Sequence, residues 1–207
     1  MGVGQPPGYP FALNSAVDNL LKNEFDSYRE KGQPHPLMVE AGIDAVPLKH
    51  EKLNEWRDSL RGGVTFLHPQ TNLFITGGVD DVWVNPQEEL IVVDYKSTSK
   101  NEELSIDADW QIAYKRQMEM YQWLFLKNGF KVNPTGYFVY CNGISDAPAF
   151  NSKLDFEIKL IPYTGDLSLV DQTIIAIHSC LNSDKLPETG DDCDFCKYRA
   201  AVKSCNI

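Results

Sequence analysis

The sequence predicts an α/β fold in which helices flank a mixed β-sheet. Three observations lead there. Amphipathic helical patterns open the chain and return after residue 107, and stretches rich in Val, Ile, Phe and Trp stand between them. The order reads helix, helix, three strands, helix, two strands, helix, which suits two layers of helix around one sheet. A chain of 207 residues accommodates this as one generous domain that buries its core without disulfides.

Residues 1–12, rich in Gly and Pro, read as a flexible lead. From Leu13 to Glu30 the apolar positions Leu13, Val17, Leu20, Leu21 and Phe25 recur at helical spacing, with Asn14 or Ser15 as N-cap. Pro34, Pro36 and Pro47 interrupt the next stretch. Leu48 to Leu60 predicts a second helix with Leu53, Trp56 and Leu60 on one side, stopped by Gly62-Gly63. Strands follow at Val64–Leu67, Leu73–Val84 and Leu90–Tyr95, the last two joined by a hairpin connection at residues 85–89. Residues 107–128 form the clearest helix, with Ile112, Met118, Tyr121, Leu124 and Phe125 along one side and Gly129 as its stop. Strands at about 135–141 and 154–162 and a helix at about 167–182 complete a domain spanning 13–185. The remainder, 186–207, is a cysteine-containing tail with little regular pattern, expected to pack on the same domain.

Lys and Arg number 19 against 29 Asp and Glu, for a formal net charge of −10. That argues against indiscriminate polyanion binding, which needs a basic surface to release counterions. It leaves room for clustered acids that hold metal ions beside a local basic rim. No apolar run is long enough to span a bilayer, and the N-terminus lacks a basic region followed by an apolar one. Met1-Gly2 opens as an acylation signal would, but Pro6 stands where Ser or Thr is needed. The expectation is a cytoplasmic protein without a membrane partner.

The informative segment is GGVDDVWVNPQEELIVVDYKSTSK, residues 77–100. Asp80 leaves the Gly77-Gly78 strand end, and Asp94-Tyr95-Lys96 closes the next strand. Strand residues two apart share a face, so Asp94 and Lys96 point one way, and the hairpin brings Asp80 beside Asp94. Val92 and Val93 make the approach to that pair apolar, as in a strand covered by helices. Two carboxylates at about 4 Å repel by roughly 4 kcal/mol at an effective dielectric near 20. A hard divalent cation is the natural compensation. An ammonium at Lys96 would then stand where a phosphate oxygen gathers charge, giving acid, acid, cation and lysine as a minimal kit for phosphodiester hydrolysis. Singly, each of these residues reads just as well as a solvated hairpin acid or an incidental ion pair. Gln117 and Tyr121, four apart on the next helix, face the same way, which by itself fits a core Tyr with a surface Gln.

Together, Gly77-x-x-Asp80, Asp94-x-Lys96 and Gln117-x-x-x-Tyr121 resemble the PD-(D/E)XK nuclease superfamily. Within it, the likeness is to the RecB-like branch that includes CRISPR-associated adaptation exonucleases and AddB-type nuclease domains. The resemblance covers roughly residues 13–205, since the order of elements agrees too. It implies a restriction-endonuclease-like core over 13–185 and a metal-dependent DNA nuclease, an exonuclease on ends or single strands. Asp80 and Asp94 would bind Mg or Mn with the backbone carbonyl of Tyr95, and Lys96 would assist the attacking water or the transition state. Gln117 and Tyr121 would position that lysine and the DNA. Where the family often has a metal-binding His on the first helix, this chain has Asp18, as a further ligand or a helix-surface acid; Glu24 is a weaker candidate. The resemblance also allows protein partners in DNA repair or CRISPR adaptation. A catalytically silent nucleic-acid-binding or complex-forming module of the same fold is the alternative.

Cys193-x-x-Cys196 with Cys205 has the spacing of a metal-ligand cluster, and reduced, unligated thiols are the plainer reading. The resembling nucleases often carry a [4Fe–4S] cluster on three such cysteines and one before the first helix. No cysteine precedes Asn14 here, so that cluster needs a cysteine from upstream, or Cys180 in its place; otherwise no cluster forms. A zinc-stabilised structural protein is a further reading of the tail alone. Cys141 reads as a small core residue. Lys96, Lys100, Lys115 and Arg116, with Trp110 and Tyr114, make a mixture suited to single-stranded nucleic acid, or else a solvated basic edge. His35, His50, His68 and His178 show no metal spacing and are expected in loops or on the surface.

Overall fold

The structure, a computed structural model, describes residues 12–191 and 193–204. A five-stranded sheet runs in the order β1 (Val46–Pro47), β4 (Asp81–Val84), β5 (Leu90–Thr98), β6 (Thr135–Gly143), β7 (Phe156–Thr164). β5 and β6 are parallel and the other neighbours antiparallel, so the sheet is mixed, as the sequence predicts. The parallel pair needs a crossover, and the 3₁₀ turn Asp109–Gln111 with helix α4 (Ile112–Lys127) supplies it. A separate hairpin of β2 (Val64–His68) and β3 (Leu73–Gly77) packs against α4.

Helices cover both faces of the central strands, which is why β5 reads as a nearly unbroken apolar run. On one face Val82, Val92, Phe138 and Tyr140 meet Met118, Leu124 and Phe125 of α4. On the other, Trp83, Ile91, Val93 and Val139 meet Leu21 and Phe25 of α1 (Ala12–Lys31) and Met38 of α2 (Pro36–Glu40). Phe25 stacks between His35 (4.3 Å) and Trp83 (5.6 Å). Helix α5 (Val170–Leu181) docks through Val170 and Ile174.

The structure corrects several expectations. The predicted strand Leu73–Val84 is two: β3 ends at Gly77, and β4 starts at Asp81 in the other sheet. The second helix shrinks to α3 (Leu53–Arg57), and Leu60 is 93% exposed rather than in the core. α2 escapes the periodicity reading because it is one turn long; Pro36 starts it, and the ring nitrogen Nδ1 of His35 accepts the Leu37 N–H. The tail carries a helix, α6 (Asp194–Ser204), whose described side chains are mostly exposed. His35 and His68 are buried, the first bonded to Glu24 (2.9 Å) and the second to Thr71 (2.9 Å). Cys141 is a core residue as read, its thiol pushed up to about 11 by burial and secondarily by Glu24. No described helix is long and apolar enough to cross a membrane. Residues 1–11 of the expected lead, and Cys205, lie outside the described residues.

A buried charge network ties α1 and α3 to the start of β4. Asp81, fully buried, accepts from Arg29 (2.5 Å), Arg57 (3.0 Å) and the Tyr95 hydroxyl (2.9 Å). Arg29 and Arg57 also share Asp26, each at 2.9 Å. Burial opposes ionisation of Asp26, but the two guanidiniums outweigh it and hold its carboxyl below the usual range. Removing one partner of such a network leaves a buried charge undercompensated. Arg57→Leu should therefore lower stability by about 3–5 kcal/mol, read from the urea midpoint at constant m-value.

Candidate active site

The register of β4 on β5 sets the site. Asp81 pairs with Val93, so the preceding Asp80 falls opposite Asp94. The Asp80 carboxylate accepts the Tyr95 N–H at 2.8 Å, which locks it against β5 just past the last β4–β5 pair. Asp94 is two residues beyond Val92 and shares its face, the one covered by α4. Lys96, two further on, turns back to form an ion pair with Asp94. Its ammonium also donates to Gln117 Oε1 (3.2 Å) and lies 4.6 Å from the centre of the Tyr114 ring. The Gln117 amide is oriented by its other end, donating to the Tyr121 hydroxyl at 2.7 Å. Asp80, Asp94, Lys96, Gln117 and Tyr121, distant in sequence, thus form one connected constellation.

Gly77 makes room for it. A Cβ there would lie 2.7 Å from the Tyr121 ring, a distance that forces the ring to move. The chain departs from β3 at this point because Gly77 and Gly78 allow close approach, by Tyr121 and by Ser59 respectively. Arg57 grips the next step, donating from Nε to the Asp80 carbonyl (3.0 Å) while its NH2 reaches Asp81.

The constellation opens into a cleft of about 320 Å3 whose lining includes Asn14, Asp18, Asp80, Tyr95, Lys96 and Tyr114. Asp18 therefore reaches the cleft from α1, where its carboxylate takes the Lys22 ammonium at 2.8 Å. Lys22 also stands 3.6 Å from Asp80. Glu24 is bonded to His35 and does not line the cleft.

Electrostatically the acids are under strain. Burial pushes Asp94 up to about 7; Lys96 opposes the rise and the neighbouring Asp80 carboxyl adds to it. Asp80 is raised too, chiefly by burial, with the Tyr95 N–H and Lys22 opposing and Asp18 adding. Burial raises Tyr121 to about 12, so its hydroxyl stays protonated. One Asp94 oxygen, Oδ2, is buried without a well-directed hydrogen bond despite its ion pair with Lys96. Paired, desolvated carboxylate oxygens of this kind fit a hard divalent cation, which takes oxygen ligands. Among the described residues no three His, Cys, Asp or Glu side chains gather as a ready ligand set, so Asp18 stands apart from the Asp80–Asp94 pair, on Lys22.

Other expected participants are elsewhere. Lys115 is paired with Asp107 (3.0 Å), and Arg116 lines a separate depression with Glu119 and Asp166. The Trp110 side chain is outside the described residues. In the tail, the Cys196 N–H donates to Cys193 Sγ (3.2 Å), and Cys180 is exposed. Among the described residues no cluster of metal-ligating side chains forms around these thiols. Sequence reasoning missed Lys22, Arg57 and Asp81. Lys22 was findable, one helical turn after Asp18; Arg57 and Asp81 declare themselves only through contacts across the fold.

The family model of the PD-(D/E)XK nuclease superfamily matches residues 5–201. No curated protein matches. Among solved structures, one described as "Crystal structure of SSO0001" is 19% identical, with a TM-score of 0.36, over 61% of this chain and 50% of that one. The chain thus spans about half the length of that structure's chain, and so loose a superposition carries no argument.

Two outcomes follow from the geometry. The buried Asp94 carboxyl keeps its proton to about pH 7 in the metal-free fold, whereas in an unfolded chain it ionises near 4. The native state then holds the extra proton, so this group's contribution is full below about pH 4 and lost as pH rises through about 7. In EDTA, Asp94→Asn should flatten the fall in unfolding free energy between about pH 4 and about pH 7 relative to the parent. Gly77→Ala should displace Tyr121 and, through Gln117, loosen Lys96; the Gln117 side-chain amide resonances should shift in NMR spectra while the far-sheet resonances of β7 stay put.

Proposed function

This chain belongs to the PD-(D/E)XK nuclease superfamily, and we propose that it is a divalent-metal-dependent deoxyribonuclease acting as an exonuclease on DNA ends or single strands. One observation carries the reading: in-register Asp80 and Asp94 meet on the face where Lys96 is held by Asp94, Gln117 and the Tyr114 ring. The affiliation with the RecB-like branch rests on the Gln117–Tyr121 pair being bonded to that lysine.

Asp80, Asp94 and the Tyr95 carbonyl would hold Mg or Mn, which when bound lowers the pKa of a water and polarises phosphorus. The chain's own residues do the rest. Tyr95 N–H fixes the Asp80 carboxylate, and Arg57 fixes its backbone, so the acid pair is set before substrate arrives. Lys96, oriented by Gln117, presents its ammonium to the oxygen that gains charge as the phosphodiester is attacked. Tyr121 restrains Gln117 through its hydroxyl, and burial keeps that hydroxyl neutral. Tyr114 stands at the cleft wall with its ring under the Lys96 ammonium and helps hold that charge in place.

The test is cleavage of end-labelled single- and double-stranded DNA in Mg, in Mn and in EDTA. The parent should cleave in either metal and not in EDTA, and Lys96→Ala and Asp94→Ala should each lose at least about 100-fold in rate. Variants as fast as the parent would overturn the assignment of these residues. Binding that persists in EDTA, with no metal-dependent product under any condition, would make the chain the silent module instead.

A further inference from the structure

Lys96 lines the cleft, and Lys22 reaches two of its lining carboxylates; the two ammonium groups are held differently. Lys96 is fixed on three sides, by Asp94, Gln117 and the Tyr114 ring. Among the described residues Lys22 lies between two carboxylates, with a close contact to Asp18 (2.8 Å) and a longer one to Asp80 (3.6 Å). It is about one-fifth exposed and sits on a flexible four-carbon stem, so small rotations move its charge. Each member of the acid pair therefore has its own counter-ion: Lys96 for Asp94, Lys22 for Asp80. A divalent ion shared by Asp80 and Asp94 brings two positive charges close to where the Lys22 ammonium now stands.

We propose that Lys22 is a displaceable counter-ion: it neutralises Asp80 in the metal-free protein and withdraws onto Asp18 when a divalent ion takes that carboxylate, so that it sets the metal affinity of the site. The inference rests on the metal-dependent reading above. Asp18, one turn before Lys22, is on this account the anchor of the withdrawn ammonium and not a ligand of the ion. The Asp80 contact is the one to give way because it is the longer, while the Asp18 bond survives the change. The metal-free acids stay compensated, and metal binding is weakened by the charge it must move aside.

The experiment is Mn titration of the purified chain by calorimetry, with thermal melts in EDTA and in saturating Mn. Lys22→Met should bind Mn about tenfold more tightly than the parent, because a like charge has gone from beside the ion. Its melting temperature should fall in EDTA and recover in Mn, giving a larger metal-induced rise than the parent shows. Lys22→Arg, which keeps the charge, should stay within about threefold of the parent affinity. Equal or weaker Mn binding by Lys22→Met, with Asp80→Asn abolishing binding, would overturn the proposal and leave the metal site standing. Asp18→Asn losing as much affinity as Asp80→Asn would make Asp18 a ligand and also overturn it. A parent that binds no Mn, or Asp80→Asn binding as tightly as the parent, would remove the metal reading and this inference together. Should Lys22→Met not fold, Lys22→Gln serves the same comparison.

Discussion

The structure turns on the desolvation of Asp94. A carboxylate in the middle of the central strand, covered by a helix and faced by a second carboxylate, costs free energy wherever it is ionised. The fold does not relieve this with a web of backbone donors, as it could; one oxygen is left without a well-directed hydrogen bond. It supplies cations instead, Lys96 to Asp94 and Lys22 to Asp80. Unrelieved strain of this sort belongs at sites with a task, because a purely structural acid would be satisfied outright.

The adjacent Asp81 shows what full satisfaction looks like. Strand alternation sends Asp80 and Asp81 to opposite sides of the sheet. Asp81 enters a network of two arginines, a tyrosine hydroxyl and its own following N–H, and is completely buried. Arg57 spans both roles, holding the Asp81 carboxylate with one nitrogen and the Asp80 carbonyl with another. The fully bonded Asp81 thereby fixes the backbone from which Asp80 projects. Tyr95 does the same from the opposite strand, giving its N–H to Asp80 and its hydroxyl to Asp81.

This division explains which parts of the molecule were legible in the sequence. The β4–β5 hairpin, the meeting of Asp80 with Asp94, the shared face of Lys96 and the Gln117–Tyr121 turn all follow from periods of two and four along short stretches. The Asp81 network does not, since Arg29 and Arg57 lie 52 and 24 residues from Asp81 and nothing local predicts their meeting. The split of Leu73–Val84 into two sheets was hidden for a related reason. The break falls at Gly77, where Tyr121 approaches closely from a helix more than forty residues away. The buried His35 and His68 likewise owe their burial to Phe25 and Trp123, ring contacts that no spacing of histidines encodes.

The acidity of the whole chain, −10, first reads as an argument against a polyanionic substrate. At the cleft the count is different. Asp18, Asp80 and Asp94, when all are ionised, face Lys22 and Lys96, which leaves one negative charge. On the proposed reading a divalent ion reverses that sign to one positive charge, the complement of a single phosphodiester. A cleft that is weakly anionic when empty and weakly cationic when loaded would hold one phosphate without gripping a long stretch of backbone. The net charge of −10 opposes strong non-specific attraction over many phosphates.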